Sequence, residues 1–154
     1  MLYYKFEFYK IEIKQFKSTN VDEQEFSENG LVTEKTYIDN FEVLYERIIH
    51  YLENKKPYQD PNFNINILSK ELKTNSSYAS KALNKYGNKN FKNLVNEFRI
   101  NQVKEDIANG HHKIYTVKHI YESAGFTQQS TFNRIFKEHT GKTPTEYIES
   151  VNNT

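Results

Sequence analysis

Between residues 117 and 140 the apolar positions fall into two short runs with helical spacing, separated by a glycine. Val117, Ile120, Tyr121 and Ala124 recur at intervals of three and four, and Gly125 then ends the first helix, since glycine tolerates a left-handed backbone. The second helix begins near residue 128. It has an apolar face with Phe132, Ile135 and Phe136, and a polar face with Gln129, Ser130, Asn133 and Arg134.

A third helix is predicted directly after this pair. Gly141 ends the second helix, and Thr143 and Pro144 follow as an N-cap and a first helical residue. Glu146 stands three residues after Thr143, which is the spacing of a capping box.

Two short helices joined by a tight turn, the second with a polar outer face, form a helix-turn-helix pattern. In that motif the second helix enters the DNA major groove, where Gln, Asn and Arg make paired hydrogen bonds to A or G. An ordinary helical hairpin with a solvated polar face fits the local pattern equally well.

An internal repeat favours the helix-turn-helix interpretation. With a shift of 53 residues, apolar positions fall on apolar ones and a cation falls on a cation. The matched pairs are Ile67 with Ile120, Leu68 with Tyr121, Ser77 with Ser130, Lys81 with Arg134, Leu83 with Phe136, Leu94 with Tyr147 and Val95 with Ile148. A solvated hairpin has no reason to recur with its cation in register.

A long helix over residues 91–109 joins the two copies. Its apolar stripe changes direction, from Phe91, Leu94, Val95 and Phe98 on one face to Ile100, Val103 and Ile107 on another. A helix that packs against one unit at its start and another at its end needs this change. About 19 residues span roughly 28 Å, close to the ~34 Å between successive major grooves.

Three earlier helices are predicted upstream. Asp39 is the expected cap of a helix over residues 40–55, and Asn64 is the expected N-cap of a helix over residues 65–72. The second helix of the earlier copy is expected over residues 75–86. Residues 1–17 carry a stripe of aromatic and aliphatic residues that fits a coiled coil, a docked helix or an edge strand, and residues 18–37 are typical of a linker.

Charge divides the chain into two halves. Residues 1–60 carry 8 Lys/Arg and 12 Asp/Glu, a net charge of −4, whereas residues 61–154 carry 13 and 8, a net charge of +5. The basic half contains the repeat, which suits attraction to phosphates. The chain has no cysteine and no run near the ~20 apolar residues of a membrane span, so a cytoplasmic location is expected.

The second half of the chain, roughly residues 62–151, resembles the AraC/XylS-type family of bacterial transcriptional regulators. The residues that carry the resemblance stand at the family's spacing: Gly125, Phe126, Ser130, Phe132, Arg134, Phe136, Lys137, Gly141, Thr143, Pro144 and Tyr147. It implies an all-α fold of seven helices, in which a long linker helix joins two helix-turn-helix subdomains and a helical or irregular extension precedes them. The expected domains are an extension and linker at residues 1–36, which is a possible dimerisation segment or juxtamembrane remnant, and a DNA-binding domain at residues 37–154.

The resemblance also implies which residues touch DNA. The expected base-reading residues are Ser77, Ser80 and Lys81 in the first unit and Gln129, Ser130, Asn133 and Arg134 in the second. Phosphate contacts are expected from Asn75, Lys85, Thr127, Gln128 and Lys137. The first unit departs from the family pattern, because Ala79 replaces a larger apolar residue and Lys73-Thr74 stands where the turn often has glycine.

Other function classes fit less well. No phosphate loop, nucleophile with an aligned base or metal triad is present, so neither enzymatic activity nor a cofactor is expected. His111, His112 and His119 are not spaced as a metal site. A helical protein–protein adaptor without DNA binding remains the alternative. The expected partners are double-stranded DNA, with RNA polymerase or a second protomer, and a membrane only if the chain is part of a longer one; no small-molecule site is evident.

Overall fold

The computed structural model describes residues 34–152, with side chains from residue 40, and this part of the chain forms helices and no strand. The seven α-helices are α1 Glu34–Lys55, α2 Ile65–Glu71, α3 Ser76–Tyr86, α4 Phe91–Ala108, α5 Val117–Ser123, α6 Gln129–Thr140 and α7 Pro144–Asn152. Short 3-10 turns follow α1, at Pro57–Gln59, and α4, at His111–Lys113. The predicted all-α fold is confirmed, whereas the expectations for residues 1–17 lie outside the described residues.

Side chains cap most of the helices, and the predicted cap at Asn64 is among them. Asn64, Asn75, Asn90 and Thr116 each accept a hydrogen bond from a backbone N–H in the first turn of the helix that follows. At α7 the backbone N–H of Thr143 donates to Glu146 Oε2 at 2.7 Å, and the N–H of Glu146 donates to Thr143 Oγ1 at 3.3 Å. This reciprocal pair is the predicted capping box.

The linker helix α4 contributes to two separate cores. Leu94 and Val95 are buried with α1, α2 and α3, whereas Ile100, Val103 and Ile107 are buried with α5 and α6. The change of apolar face therefore divides α4 between two helix-turn-helix units, as predicted. The first unit is α2 and α3, with α1 packed on it, and the second is α5 and α6, with α7 packed on it.

Helix α1 is longer than the sequence indicated. It begins at Glu34, so Asp39 lies inside the helix instead of capping it, and residues 34–37 are helical instead of linker. The earlier start is possible because no glycine or proline stands between Gly30 and Pro57. Ala79 and Ala82 on α3 are fully buried, and their small side chains let α1 pack close to that helix.

The repeat has two registers, which corrects the single shift of 53. The first helices and their N-caps, Asn64 and Thr116, match with a shift of 52, whereas the second helices match with 53. Ile67 is accordingly 39% exposed whereas Ile120 is 2% exposed, because the true partner of Ile120 is the buried Leu68. The reason is one extra residue in the second turn, between α5 and α6.

Candidate nucleic-acid interface

Helix α6 separates its residues into a buried face and an exposed face. Phe132, Ile135 and Phe136 are buried, and Phe132 stacks on Tyr121 of α5 with 4.8 Å between the ring centroids. All four predicted base-reading residues of this unit, Gln129, Ser130, Asn133 and Arg134, are exposed. Because the aromatic core fixes the rotation of α6, these four side chains share one outward surface.

Helix α3 repeats this arrangement with smaller side chains. Ser77 and Lys81 are exposed, and Ser80 is half-buried. Tyr78 is 41% exposed and its ring lies 5.3 Å from that of Phe41 on α1. The sequence interpretation did not single out Tyr78, and its exposed ring beside Ser77 enlarges the outer surface of α3.

The predicted phosphate-contacting residues Asn75, Lys85, Thr127, Gln128 and Lys137 are all exposed. Two of them stand at the starts of α3 and α6, the two helices with predicted base-reading residues (the reading helices). Asn75 uses its side-chain oxygen to cap α3, which leaves the NH₂ group of its amide as a donor. Gln128 is the N-cap residue of α6 but makes no side-chain cap hydrogen bond, so first-turn N–H groups of α6 are available to an anion.

One predicted base reader already has a partner within its own helix. Arg134 Nη1 donates a hydrogen bond to Glu138 Oε1 at 2.6 Å, and both side chains are more than half exposed. The arrangement is the i, i+4 ion pair of a solvated helix face. An exposed pair of this kind stabilises a protein by about 0.2–1 kcal/mol, so a phosphate or a base can displace Glu138 at low cost.

A cleft lies between the two units beside the start of α6. Its volume is about 340 Å³, and the polar residues on its walls are Lys92, Asn96 and Arg99 from α4 with Thr127, Gln128 and Thr131 from the second unit. Lys92 and Asn96 were not predicted as site residues. The signal in the sequence was their i, i+4 spacing on α4, one turn before Arg99, but only the fold places that stripe beside Gln128.

Arg99 connects the two units at the base of this cleft. Its Nε donates to the carbonyl of Tyr58 at 2.7 Å and its Nη2 donates to the carbonyl of Asp60 at 3.0 Å. The guanidinium carbon lies 5.7 Å from the ring centroid of Phe126, in the turn of the second unit. Burial lowers the pKa of Arg99 from its ordinary value, opposed by the negative charge of Asp60.

The histidines at positions 111, 112 and 119 serve different contacts. His111 Nδ1 lies 3.0 Å from Asp106 Oδ1, and His112 Nε2 lies 3.1 Å from Asn152 Oδ1, whereas His119 stacks on Tyr115. Among residues 34–152 no three acidic or histidine side chains are grouped so that they could hold a metal ion. None of the helices in that range is long and apolar enough to cross a lipid bilayer.

Comparison with known proteins decides the family. Residues 68–150 match the sequence model described as a helix-turn-helix domain, which is more than half of the chain. The chain belongs to the AraC-type helix-turn-helix family. Domains of this AraC type are DNA-binding domains of transcription regulators and are not typically enzymes, so this chain is a DNA-binding regulator.

Solved structures share the AraC-type fold at low sequence identity. The C-terminal domain of AraT, a response regulator from Geobacillus stearothermophilus, matches with a TM-score of 0.61 and 19% identity over 70% of this chain and 84% of that chain. A DNA-binding transcriptional dual regulator from Escherichia coli K-12 matches with a TM-score of 0.60 and 22% identity over 72% and 94%.

The C-terminal domain of the two-component response regulator yesN from Fusobacterium nucleatum matches with a TM-score of 0.52 and 23% identity over 71% and 98%. No curated protein is significantly similar in sequence. At these identities the likeness concerns the AraC-type fold alone.

Proposed function

We propose that this chain regulates transcription by binding duplex DNA at specific sequences, with α3 and α6 in two adjacent major grooves. The observation that carries the proposal is the matched exposure of the two reading helices. Ser77 and Lys81 on α3 correspond to Ser130 and Arg134 on α6 with the shift of 53, and all four are exposed. The two units therefore expose the same positions. This arrangement suits two equivalent contacts with a repeating surface such as a DNA duplex.

The length of the linker helix supports simultaneous contact with two grooves. Helix α4 has 18 residues and is therefore about 27 Å long. Adjacent major grooves on one face of B-DNA are about 34 Å apart, and the width of the two units adds to the length of α4. One protomer then covers a distance that a single helix-turn-helix unit covers only as a dimer.

The two units differ in how much sequence they can read. Gln129, Asn133 and Arg134 on α6 can each form two hydrogen bonds with one base, which discriminates by about 1–3 kcal/mol. The first unit offers Ser77, Ser80 and Lys81, whose hydroxyl and ammonium groups bond to several base edges. Helix α6 is therefore expected to contribute more of the specificity and α3 more of the general affinity.

Contacts with the DNA backbone come from both units and from the linker. The exposed residues Asn75, Lys85, Thr127, Gln128 and Lys137 flank the two reading helices, and Lys92 lines the cleft between them. Phosphate contacts position a protein without reading sequence, and each cation that neutralises a phosphate releases counterions. The affinity should therefore fall steeply with salt for every duplex. In the cytoplasm, RNA polymerase or a second protomer is the proposed protein partner.

Selection of bound duplexes from a random pool tests this proposal. The expected product is a motif with two blocks whose centres are about one helical turn apart, and a footprint over both grooves for each bound protomer. Arg134→Ala should lose sequence information in one block only. Lys55→Ala is the control, because Lys55 is an exposed cation at the opposite end of α1 from the contact between Phe41 and Tyr78. One enriched block, or no enriched duplex, would contradict the proposal.

A further inference from the structure

Three parts of the chain meet at the Arg99 side chain. Arg99 lies in α4 between Phe98, which packs against the first core, and Ile100, which is buried in the second. Its two hydrogen bonds hold the carbonyls of Tyr58 and Asp60, in the turn that leads from α1 to α2. Its guanidinium carbon lies 5.7 Å from the ring centroid of Phe126 in the second unit.

Gly125 brings the turn of the second unit directly against the same group. A Cβ atom at this position would lie 2.4 Å from the carbonyl oxygen of Tyr58 and 2.8 Å from Nε of Arg99. No side chain fits there without moving backbone. The Tyr58 carbonyl therefore touches the second unit's turn on one side while it accepts the hydrogen bond from Arg99.

The contact joins two cores that otherwise share α4. Tyr58 is 4% exposed within the first core, and Phe126 is 3% exposed within the second. Long helices curve along their length, so α4 alone does not fully fix the angle between the two units. A second contact beside α4 restricts the orientation of one unit relative to the other.

We propose that Arg99 is a positioning residue that fixes the separation of α3 and α6, and so sets the number of base pairs between the two blocks of a DNA site. The inference rests on the proposed reading of two grooves. Arg99 reaches no base itself: it acts through the Tyr58–Asp60 turn and Phe126. A lysine at this position keeps the positive charge. Its ammonium group is not planar, so it cannot donate to both carbonyls and lie over the Phe126 ring at the same time.

A measurement without DNA tests the positioning directly. The chain has no cysteine, so Asn84→Cys on α3 and His139→Cys on α6, both at exposed positions outside the predicted base readers, give two unique attachment points for spin labels. The wild-type background should give one narrow distance distribution between the labels. Arg99→Ala should broaden or shift it, and Arg99→Lys should lie between the two. An unchanged distribution in both variants would overturn the proposal.

Arg47→Ala is the matched control for these variants. Arg47 Nη2 also donates to a backbone carbonyl, that of Leu72 at 2.8 Å, but this bond joins α1 to the end of α2 and does not reach the second unit. Its removal should leave the distance between α3 and α6 unchanged. Helical circular dichroism and thermal melting identify folded variants, and if Arg99→Ala does not fold, Arg99→Lys and Arg99→Gln carry the test.

Binding to duplexes with different block spacing tests the consequence. Wild-type protein should lose at least about tenfold in affinity when the blocks are moved by half a turn, because rigidly linked sites bind well only at the matching distance. Arg99→Ala should reduce that penalty to roughly threefold while its affinity for a single block stays within about twofold. Equal loss on single-block and two-block duplexes, with an unchanged spacing preference, would overturn the inference.

The two failures are distinguishable. If the wild-type affinity does not depend on block spacing, the proposed reading of two grooves is wrong. The distances between the spin labels then still test whether Arg99 positions the two units. A spacing preference in the wild type that Arg99→Ala retains would remove the role of Arg99 and leave the proposed function intact.

Discussion

Lys73 and Gly125 occupy the same position in the turns of the two helix-turn-helix units, and both have a left-handed backbone, with φ of 52° and 98°. Their backbone hydrogen bonds also correspond, since Lys73 N donates to the carbonyl of Lys70 at 3.2 Å and Gly125 N donates to that of Glu122 at 2.9 Å. The first unit therefore makes the same turn without the glycine. What differs is the conformational strain that a residue with a Cβ atom carries there.

Replacement of Lys73 by glycine should stabilise the protein. A left-handed backbone costs an L-residue about 1–2 kcal/mol, whereas the extra freedom of glycine in the unfolded chain costs about 0.5–1 kcal/mol. Lys73→Gly should raise the free energy of unfolding by about 0.5–1 kcal/mol, measured by urea denaturation. Lys70→Gly, the same change in the last turn of α2, should lower it by about 1 kcal/mol. If Lys73→Gly instead lowers the free energy of unfolding, the lysine side chain stabilises the turn by more than the left-handed backbone destabilises it.

Gly125→Ala should have the opposite effect and a larger one. The added Cβ would overlap the Tyr58 carbonyl and Arg99, and φ of 98° is unfavourable for alanine. A loss of about 2–4 kcal/mol in unfolding free energy follows from overpacking and strain together. Gly141→Ala is the control, because Gly141 also has a positive φ, of 74°, but open space where its Cβ would stand. Equal losses in the two variants would mean that backbone strain, and not the contact between the units, sets the cost.

Much of this fold was predictable because its signals are local. The cap at Asn64 and the change of apolar face in α4 are properties of neighbouring residues, and each is confirmed. The exposure of Gln129 and Arg134 follows from the same periodicity. Their contacts with DNA stay predictions.

What the sequence did not predict depends on residues far apart in the chain. The bond from Arg99 to Tyr58 spans 41 residues, and no local pattern indicates it. The single shift of 53 was wrong for the first helices, because one extra residue in a turn changes which apolar position is buried without disturbing the periodicity of either helix. The start of helix α1 was predicted too late. Asp39 stands shortly before an apolar run, and an aspartate at such a position is typical of an N-cap.

The ion pair between Arg134 and Glu138 predicts that removal of Glu138 strengthens DNA binding. Glu138 competes with DNA for the guanidinium group and repels phosphates. Because an exposed ion pair contributes at most about 1 kcal/mol, Glu138→Gln should bind a selected duplex about two- to fivefold more tightly in a fluorescence anisotropy titration. The gain should shrink in a background that carries Arg134→Ala, because only the repulsion of phosphates then remains.

Glu122→Gln provides the matched control for this change. Glu122 forms an i, i+4 pair with Lys118 on α5, at 3.8 Å, and its removal alters the net charge by the same amount. A gain as large as that of Glu138→Gln would assign the effect to net charge. If Arg134→Ala lowers the affinity for every duplex by the same factor, Arg134 contacts phosphates and does not read bases.

The capping box of α7 predicts a dependence of stability on pH. The hydrogen bond from the backbone N–H of Thr143, helped by that residue's hydroxyl, lowers the pKa of Glu146 below its ordinary value of 4.5. A lowered folded-state pKa means that the carboxylate stabilises the protein above pH 4.5, and that this contribution is lost as the pH falls from there through the folded-state pKa.

The variant that isolates this contribution is Glu146→Gln, because glutamine can complete the same box and does not titrate. The unfolding free energy of the wild type minus that of Glu146→Gln should be greatest near neutral pH and should decrease as the pH is lowered below about 4.5. Glu149→Gln, on the exposed side of the same helix, removes one charge without touching the box and controls for general electrostatics. A wild-type advantage that grows toward acid pH would mean that folding raises the pKa of the Glu146 carboxyl group instead of lowering it.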